Sequence, residues 1–578
     1  MNRRAGQRAK AAEVANSERL RRLGEHIDQR QRPPVQSRAV RAPRSQSRKW
    51  VYRGLIAVGL VVVLVVGGVV ADYYYLGSLV HRKVVKSLQT VGATENILLI
   101  GSTTRCGLAV QNIAYGLCSQ GVTGVNSDID MIVHLNPATG TVSLLSIPRD
   151  LFVPNARIIG ANKIDAALYE GPSQLVTAIE EDFGIPINHY VELNFDTFAS
   201  VVDAVGGVYM DFPVPIYDKE SGLNIERPGC YLLNGVRSLE LVRARHLQIQ
   251  PNPSNHQPST WPQEGLSDLA RIRRTHEFLR VIASKLAARG LGNPLTDQSI
   301  ATSVLPNLTV DSGFSESHMV GLAQRFAHTN INKILQLTYP LIQVVTGSYL
   351  YQGYYYGDVA FPVQPNGLST IDQVLGINAA TNAFTGAALP KPASFPLAIV
   401  NASGIASESS TVSTALRAKG FRISSSTTGT PVGKVGETVV WYGGAQPPAS
   451  TNWVSPGLAA AQTVLAQLEG PAILGYNPSQ VTPGSLVTVQ LGTGLTIRPT
   501  TSATTSTTVK KATTTTLGTT SSTTAVAYDP PGVKANSSFS APSLVNQALE
   551  PYDPRACNPS HTGPATPSPT TTSTSSAG

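Results

Sequence analysis

Residues 127–150 read SDIDMIVHLNPATGTVSLLSIPRD. MIVHLN (131–136) and TVSLLSI (141–147) are apolar, strand-forming runs on either side of PATG, so this stretch predicts a β-hairpin. Asp128 and Asp130 stand two apart at the head of the first run. Period-two alternation places both carboxylates on one face, where a divalent cation would relieve their repulsion. Arg149 follows the second run in SIPRD, at a strand end, where loops commonly carry functional groups.

The surrounding pattern builds a domain around the hairpin. NILLIG (96–101) is a buried-strand segment ended by Gly101. GPSQLVTAIEEDFG (171–184) is helical, with Pro172 in its first turn, Leu175, Ile179 and Phe183 four apart, and Gly184 as the stop. HYVELN (189–194) is a strand, FDTFASVVDAVGG (195–207) a helix and VYMDF (208–212) a strand. The polar run 248–265 is a loop, and a long helix covers 266–289. Strands alternating with helices predict a mixed-sheet α/β domain over residues 95–290. Before it, residues 72–94 read as a juxtamembrane segment with a short helix at 78–90. After it, 291–393 read as an extension of the same domain, with a helix near 315–328 and aromatic strands near 348–362. Residues 394–476 contain two βα repeats, a second small α/β domain. Residues 477–578 read as a tail; from about Arg498 it is rich in Thr, Ser and Pro, too poor in large apolar residues to offset chain entropy, hence disordered.

Composition sets the broad class. Hydrophobic residues make up 42% and charged residues only 14% of 578, against a usual charged share of about 25%. The net charge of +9 is not a folded basic face: residues 1–53 hold fifteen Lys/Arg against four Asp/Glu, and the remainder is slightly acidic. That distribution argues against a nucleic-acid-binding core. GLIAVGLVVVLVVGGVVA (54–71) has no charge in eighteen residues; as a helix it spans about 27 Å, enough for a bilayer's hydrocarbon core. Trp50 and Tyr52 flank one side and Tyr73, Tyr74 and Tyr75 the other, as interfacial rings do. The positive-inside rule keeps the basic tail in the cytoplasm and exports residues 72–578. In an oxidising exterior, Cys106 and Cys118, which enclose eleven residues, are permitted to form a disulfide. Cys230 and Cys557 are too far apart in sequence to pair on this evidence.

The arginines carry the chemical suggestion. Arg243 and Arg245 lie two apart in LVRARH, on the same side if the backbone is extended. Arg271 and Arg274 lie three apart on the helix DLARIRRTHEFL and share a face. With Arg149 these are guanidinium forks suited to the oxygens of a phosphate or pyrophosphate. No nucleophile elbow, Walker loop or zincin motif is present. Taken alone, the residues describe an exported α/β domain with a candidate anion site.

The order NILLIGSTTR, SDIDMIVHLNPATGTVSLLSIPRDLFVP, ANKIDAALYEG, VELNFDTFASVVDAVGGV, PGCYLLNGVRSLELVRARH and SDLARIRRTHEFL, over about residues 95–290, resembles the LytR-CpsA-Psr family. Residues 396–476, opening IVNASG, resemble the LytR C-terminal domain. The resemblance implies an α/β/α sandwich with an apolar pocket for a polyprenyl chain. It implies transfer of a glycopolymer from its polyprenyl pyrophosphate carrier to peptidoglycan, outside the membrane, with Mg²⁺ or Mn²⁺. It matches Asp128 to the metal-associated aspartate, Arg149 to the PRD arginine and Lys163 to the lysine before IDAA. Arg243 and Arg245 match the RxR pair, and Arg271 the first arginine of the next helix, leaving Arg274 as a further pyrophosphate contact. Three positions depart: Thr103 stands where the family has Asp, Asn126 where it has Arg, and Thr275 where it has Gln. Asp130 is then expected to supply the carboxylate that Thr103 lacks, or else only to face solvent. A binding scaffold for lipid-linked polymer and a polyprenyl-pyrophosphate pyrophosphatase remain alternative functions.

Overall fold

The computed structural model describes residues 14–19, 21–22, 78–106, 117–121, 123–265, 267–289, 308–326, 329–344, 349–428, 435–444, 454–499, 527–528 and 548–557. The span expected at 54–71 and most of the Thr/Ser/Pro stretch lie outside them. Among the described residues no helix is long and apolar enough to cross a membrane. The chain divides into Met1–Tyr74 and Tyr75–Gly578; in the first, residues 14–19 and 21–22 are helical and exposed.

In the second unit a seven-stranded mixed sheet is built from β1 (His81–Lys83), β2 (Glu95–Ser102), β3 (Ser127–Asn136), β4 (Thr141–Ile147), β5 (His189–Leu193), β6 (Thr309–Asp311) and β7 (Leu335–Thr338). Their spatial order is β1-β6-β5-β2-β3-β4-β7. The hairpin forms as expected, β3 antiparallel to β4 and β2 antiparallel to β3, while β5 runs parallel to β2. Four helices matter to the site: α1 (Pro172–Phe183), α2 (Phe195–Ala204), α3 (Gly235–Arg243) and α4 (Ser267–Arg289). Leu175, Ile179 and Phe183 bury one face of α1 against Leu98, Ile100 and Ile132 of the sheet, and Gly184, with φ +70°, ends it in the left-handed region that glycine occupies freely. Asn194 and Asn234 cap α2 and α3 by accepting the N–H groups of Thr197 and Arg237. Those two helices and α4 cover the other sheet face through a separate core that includes Phe195, Val202, Leu239 and Phe278.

Three expectations change. Residues 78–90 are not a helix: β1 forms there because His81–Lys83 finds a parallel partner in β6, more than two hundred residues away. The segment 291–393 divides, since β6 and β7 join the first sheet whereas Leu341–Val344 and Val359–Gln364 join a second. That second sheet also runs past residue 476. Val487–Leu491 lies inside it, parallel to Pro396–Asn401 and antiparallel to Thr438–Tyr442. The two sheets share a core, with Val439, Trp441 and Ile473 packed among the residues around α1.

Two disulfides are present. Cys106 and Cys118 are joined, Cα atoms 5.1 Å apart. Cys230 and Cys557 are joined too, across 327 residues, so the end of the expected tail returns to the first domain: Arg555–Ala556 adds a strand beside Val208–Phe212.

Candidate active site

Asp128 occupies a β-bulge. Ser127 pairs with Ser102 and Ile129 with Gly101, so Asp128 is the extra residue between them. The bulge breaks the alternation that would have placed Asp128 and Asp130 together. Asp128 lines the mouth of an apolar cavity. Asp130 is 1% exposed, opposite Ile100, with its carboxyl receiving the Ser127 hydroxyl at 2.9 Å. Neither a second ligand beside Asp128 nor a solvent-facing residue describes it: burial raises its pKa well above the ordinary carboxyl value, because the charged form is poorly solvated there.

Cationic side chains close around Asp128. Arg149 Nη1 donates to its carboxylate, and Arg271 Nη1 donates to its main-chain oxygen at 2.6 Å. Burial alone would raise the Asp128 pKa, yet Arg149, Arg271, Arg243 and Arg245 together hold it below the ordinary value. Two further carboxylates, not singled out in the sequence, tie the ring together. Asp150 accepts from Lys163 Nζ at 3.2 Å and from Arg245 Nη2 at 3.3 Å. Asp268 lies 2.9 Å from Arg271 Nη2 and 3.4 Å from Arg245 Nε. Both had a local signal: Asp150 follows Arg149 directly, and Asp268 precedes Arg271 by three on a helix. Asp165, which receives an amide N–H of Asn126 at 3.3 Å, is pushed up to about 6 by burial.

Arg243 and Arg245 do not project in parallel as an extended backbone would have them. Arg243 closes α3 while Ala244 is extended. Arg243 stacks on Phe195, 4.7 Å from the ring centroid, and Arg245 turns to Asp150 and Asp268. Arg274 is not at the mouth. It is fully buried, donating to Glu264 at 2.7 Å and to the Ala244 oxygen at 2.7 Å, so it fastens the link between Arg243 and Arg245 instead of meeting a ligand. A three-residue step turns a helix about 60° short of a full circle, enough to send Arg271 to the sheet and Arg274 into the loop.

Beneath this rim lies a cavity of about 630 Å³, mouth included, between the sheet and α2–α4. Leu99, Ile129, Met131 and Leu193 form its floor, and Phe195, Phe198, Leu239, Val242 and Leu279 its walls; Asp128, Arg243 and Arg271 stand among the lining residues. An apolar slot with a guanidinium rim fits an amphiphile with an anionic head. At the departing positions the structure is well satisfied. The Thr103 hydroxyl accepts the Asn126 N–H at 2.9 Å, extending the β2–β3 pairing, and Thr275 donates to the Arg271 oxygen at 2.9 Å. For a divalent cation the rim offers one carboxylate at the mouth, Asp128. That fits an ion completed by phosphate oxygens of a ligand, as Mg²⁺ commonly is, and not an all-protein cage.

Comparison with known proteins agrees on the fold of this region. Residues 75–359 match the LytR-CpsA-Psr family, and residues 394–494 match a family described as LytR cell envelope-related transcriptional attenuator. A probable cell wall biosynthesis protein, LcpB, of Corynebacterium glutamicum is 34% identical over 275 residues, 47% of this chain and 60% of that relative, so less than two thirds of its length is matched. A polyisoprenyl-teichoic acid–peptidoglycan teichoic acid transferase, TagU, of Bacillus anthracis is 26% identical over 264 residues, 44% of this chain and 79% of its own. A solved LytR-Csp2A-Psr enzyme from Actinomyces oris covers 45% of this chain and 88% of its own at 23% identity, with a TM-score of 0.36.

Proposed function

Because this chain belongs to the LytR-CpsA-Psr family, we propose that it is a membrane-anchored transferase that moves a glycopolymer from a polyprenyl pyrophosphate carrier to peptidoglycan outside the cell membrane. The observation that carries this reading is the meeting of Asp128, Arg149, Arg243, Arg245 and Lys163 at the mouth of an apolar cavity. The isoprenoid end of the carrier enters the slot, and its pyrophosphate lies against the guanidinium rim. Arg271, 3% exposed, holds the Asp128 backbone and Asp268 in place beneath it.

The acceptor in the family resemblance is the C6 hydroxyl of N-acetylmuramic acid. Its oxygen bonds to the sugar-side phosphorus, and the phosphoanhydride P–O bond breaks. Polyprenyl phosphate leaves with the electron pair, and the hydroxyl proton passes to solvent. Asp128 is a poor base for that proton, since neighbouring guanidinia favour its charged form. Arg149, Arg243 and Arg245 offset the negative charge that grows on the departing phosphate. Mg²⁺ or Mn²⁺, held by Asp128 and the pyrophosphate oxygens, would supply further charge neutralisation.

The test is incubation of the purified protein with lipid-pyrophosphate oligosaccharide, with and without peptidoglycan. Phosphodiester-linked product that needs peptidoglycan supports the proposal. Release of sugar phosphate without acceptor would make the protein a pyrophosphatase, and binding without turnover would make it a scaffold. Protease added to wall-stripped cells should digest residues 72–578 and spare the first fifty; protection of the large fragment would reverse the orientation.

A further inference from the structure

At the other end of β2 stands a cluster with no part in the arginine site. Glu95 opens β2 and Asp128 sits beside its far end, seven residues on, about 23 Å at strand rise. His189 opens β5 and pairs with Ile97; Glu95 and Ile97 alternate onto one face, so Glu95 and His189 lie on the same side of the sheet. The helix Glu316–Phe326 covers that side and brings His318 to them. One donor atom from each of Glu95, His189 and His318 lies within 4.8 Å of the others, and among the described residues this is the one such group of three.

The orientation of His189 carries the inference. Its ring is 6% exposed and stacks on Phe314 with centroids 4.1 Å apart. Its Nδ1 lies 3.1 Å from Asp311 Oδ2. That carboxylate is itself held by the N–H groups of Tyr190, at 3.0 Å, and Gly313, at 2.8 Å. A hydrogen bond to this carboxylate keeps the proton on Nδ1 and leaves Nε2 with its lone pair. Nε2 is buried with no hydrogen-bond partner. A carboxylate behind one imidazole nitrogen and a bare, buried second nitrogen is the arrangement that orients a histidine towards a metal. His318 Nε2 and Glu95 Oε2, 2.8 Å apart, complete a two-nitrogen, one-oxygen set. Such donors suit zinc-class ions, whereas magnesium and calcium take oxygen.

We propose that Glu95, His189 and His318 bind a divalent transition-metal ion of the zinc class, with Asp311 as the positioning residue behind His189. The ion's role is structural. Only Val80, Val310 and Phe314 form the fully buried apolar core under this helix, so a metal would fasten the helix and β6 to β2 and β5, where apolar contact is thin. The side chain of His318 is 33% exposed, which gives an ion a way in.

The test uses the full chain purified in detergent and stripped with a chelator. Zn²⁺, Co²⁺ and Mg²⁺ are titrated separately, with metal content, cobalt visible absorption and thermal unfolding as readouts. A single equivalent of Zn²⁺ or Co²⁺ per chain, raising the unfolding temperature and not displaced by Mg²⁺, is expected. His318→Gln and Glu95→Gln should each weaken binding at least about tenfold, and Asp311→Asn about 10- to 100-fold; Asp128→Asn should bind zinc as the unaltered chain does. Absence of stoichiometric Zn²⁺ binding, or binding unchanged in both His318→Gln and Glu95→Gln, overturns the proposal.

Discussion

Arg149 and Arg274 show how little the identity of a residue says about its task. Both are arginines in quoted motifs, but Arg149 stands at the cavity mouth on Asp128, and Arg274 is sealed between Glu264 and Ala244. Removing one partner of a charge-assisted contact usually costs about 1.5–3 kcal/mol, roughly ten- to a hundredfold in rate. Arg149→Ala and Arg243→Ala should therefore each lower transfer by that factor with the fold intact by circular dichroism. If both retain normal transfer, the site is misplaced. Arg274→Ala should act differently: it leaves Glu264 buried and unpaired, so about 3–5 kcal/mol of stability should go, visible as a lower denaturant midpoint. Asp150 and Asp268 were missed for a physical reason. Their use as bridges depends on Lys163, Arg245 and Arg271 arriving from three other segments.

Among the elements, α1 joins the two sheets and does so with acids at its buried end. Tyr442 donates to the Glu181 oxygen at 2.8 Å, and Asn155 exchanges hydrogen bonds with Tyr476 across the same contact. Burial pushes Glu180 and Glu181 up to about 8. The folded state then keeps protons that the unfolded chain releases near the model value of 4.5. Between those two values the folded chain binds more protons, so stability falls as pH rises through the window and levels off above about 8. Glu181→Gln has nothing to ionise; its stability should fall less between about pH 5 and about pH 9 than that of the unaltered chain, by about 1–3 kcal/mol. Parallel pH profiles for the two chains would refute this assignment. The second sheet gives a sharper test. A chain ended after residue 476 lacks Val487–Leu491, which separates two other strands, whereas one ended after 499 keeps it. Limited proteolysis should find residues 396–476 protected only in the longer chain.

On the scale of the whole molecule, the decisive contact is the return of residues 548–557. Asp553 is fully buried, its Oδ2 2.6 Å from Arg273 Nε, and Cys557 is bonded to Cys230. Arg273 and Arg274 are neighbours on α4, so the returning segment supports the helix that carries Arg271 into the site. Asp553→Ala would strand a buried guanidinium, at a cost of about 3–5 kcal/mol. Cys557→Ser would release a loop of several hundred residues, at about 2–5 kcal/mol. Thermal unfolding should show both losses, and neither should change the fold of the second sheet. An unchanged unfolding temperature in Asp553→Ala would mean the segment does not dock in solution.

What the sequence by itself determined is whatever rests on near neighbours and on period. The 131–147 hairpin, the strands at 96–101 and 189–194, and α1 between Pro172 and Gly184 follow from alternation, four-residue spacing and local stop signals. The Cys106–Cys118 pair was legible for the same reason, as a short loop in an exported chain. Tertiary structure alone decided what depends on distant partners. Gly101 and Ser102 had to meet Ile129 and Ser127 before a bulge could separate Asp128 from Asp130. His81–Lys83 became a strand only when residues 309–311 lay beside it, Arg274 became structural only when Glu264 closed over it, and Cys557 found Cys230 only once α4 had buried Asp553. Local pattern fixes periodicity over a few residues; register, pairing and the burial of a charge are set by the segment that arrives to cover it.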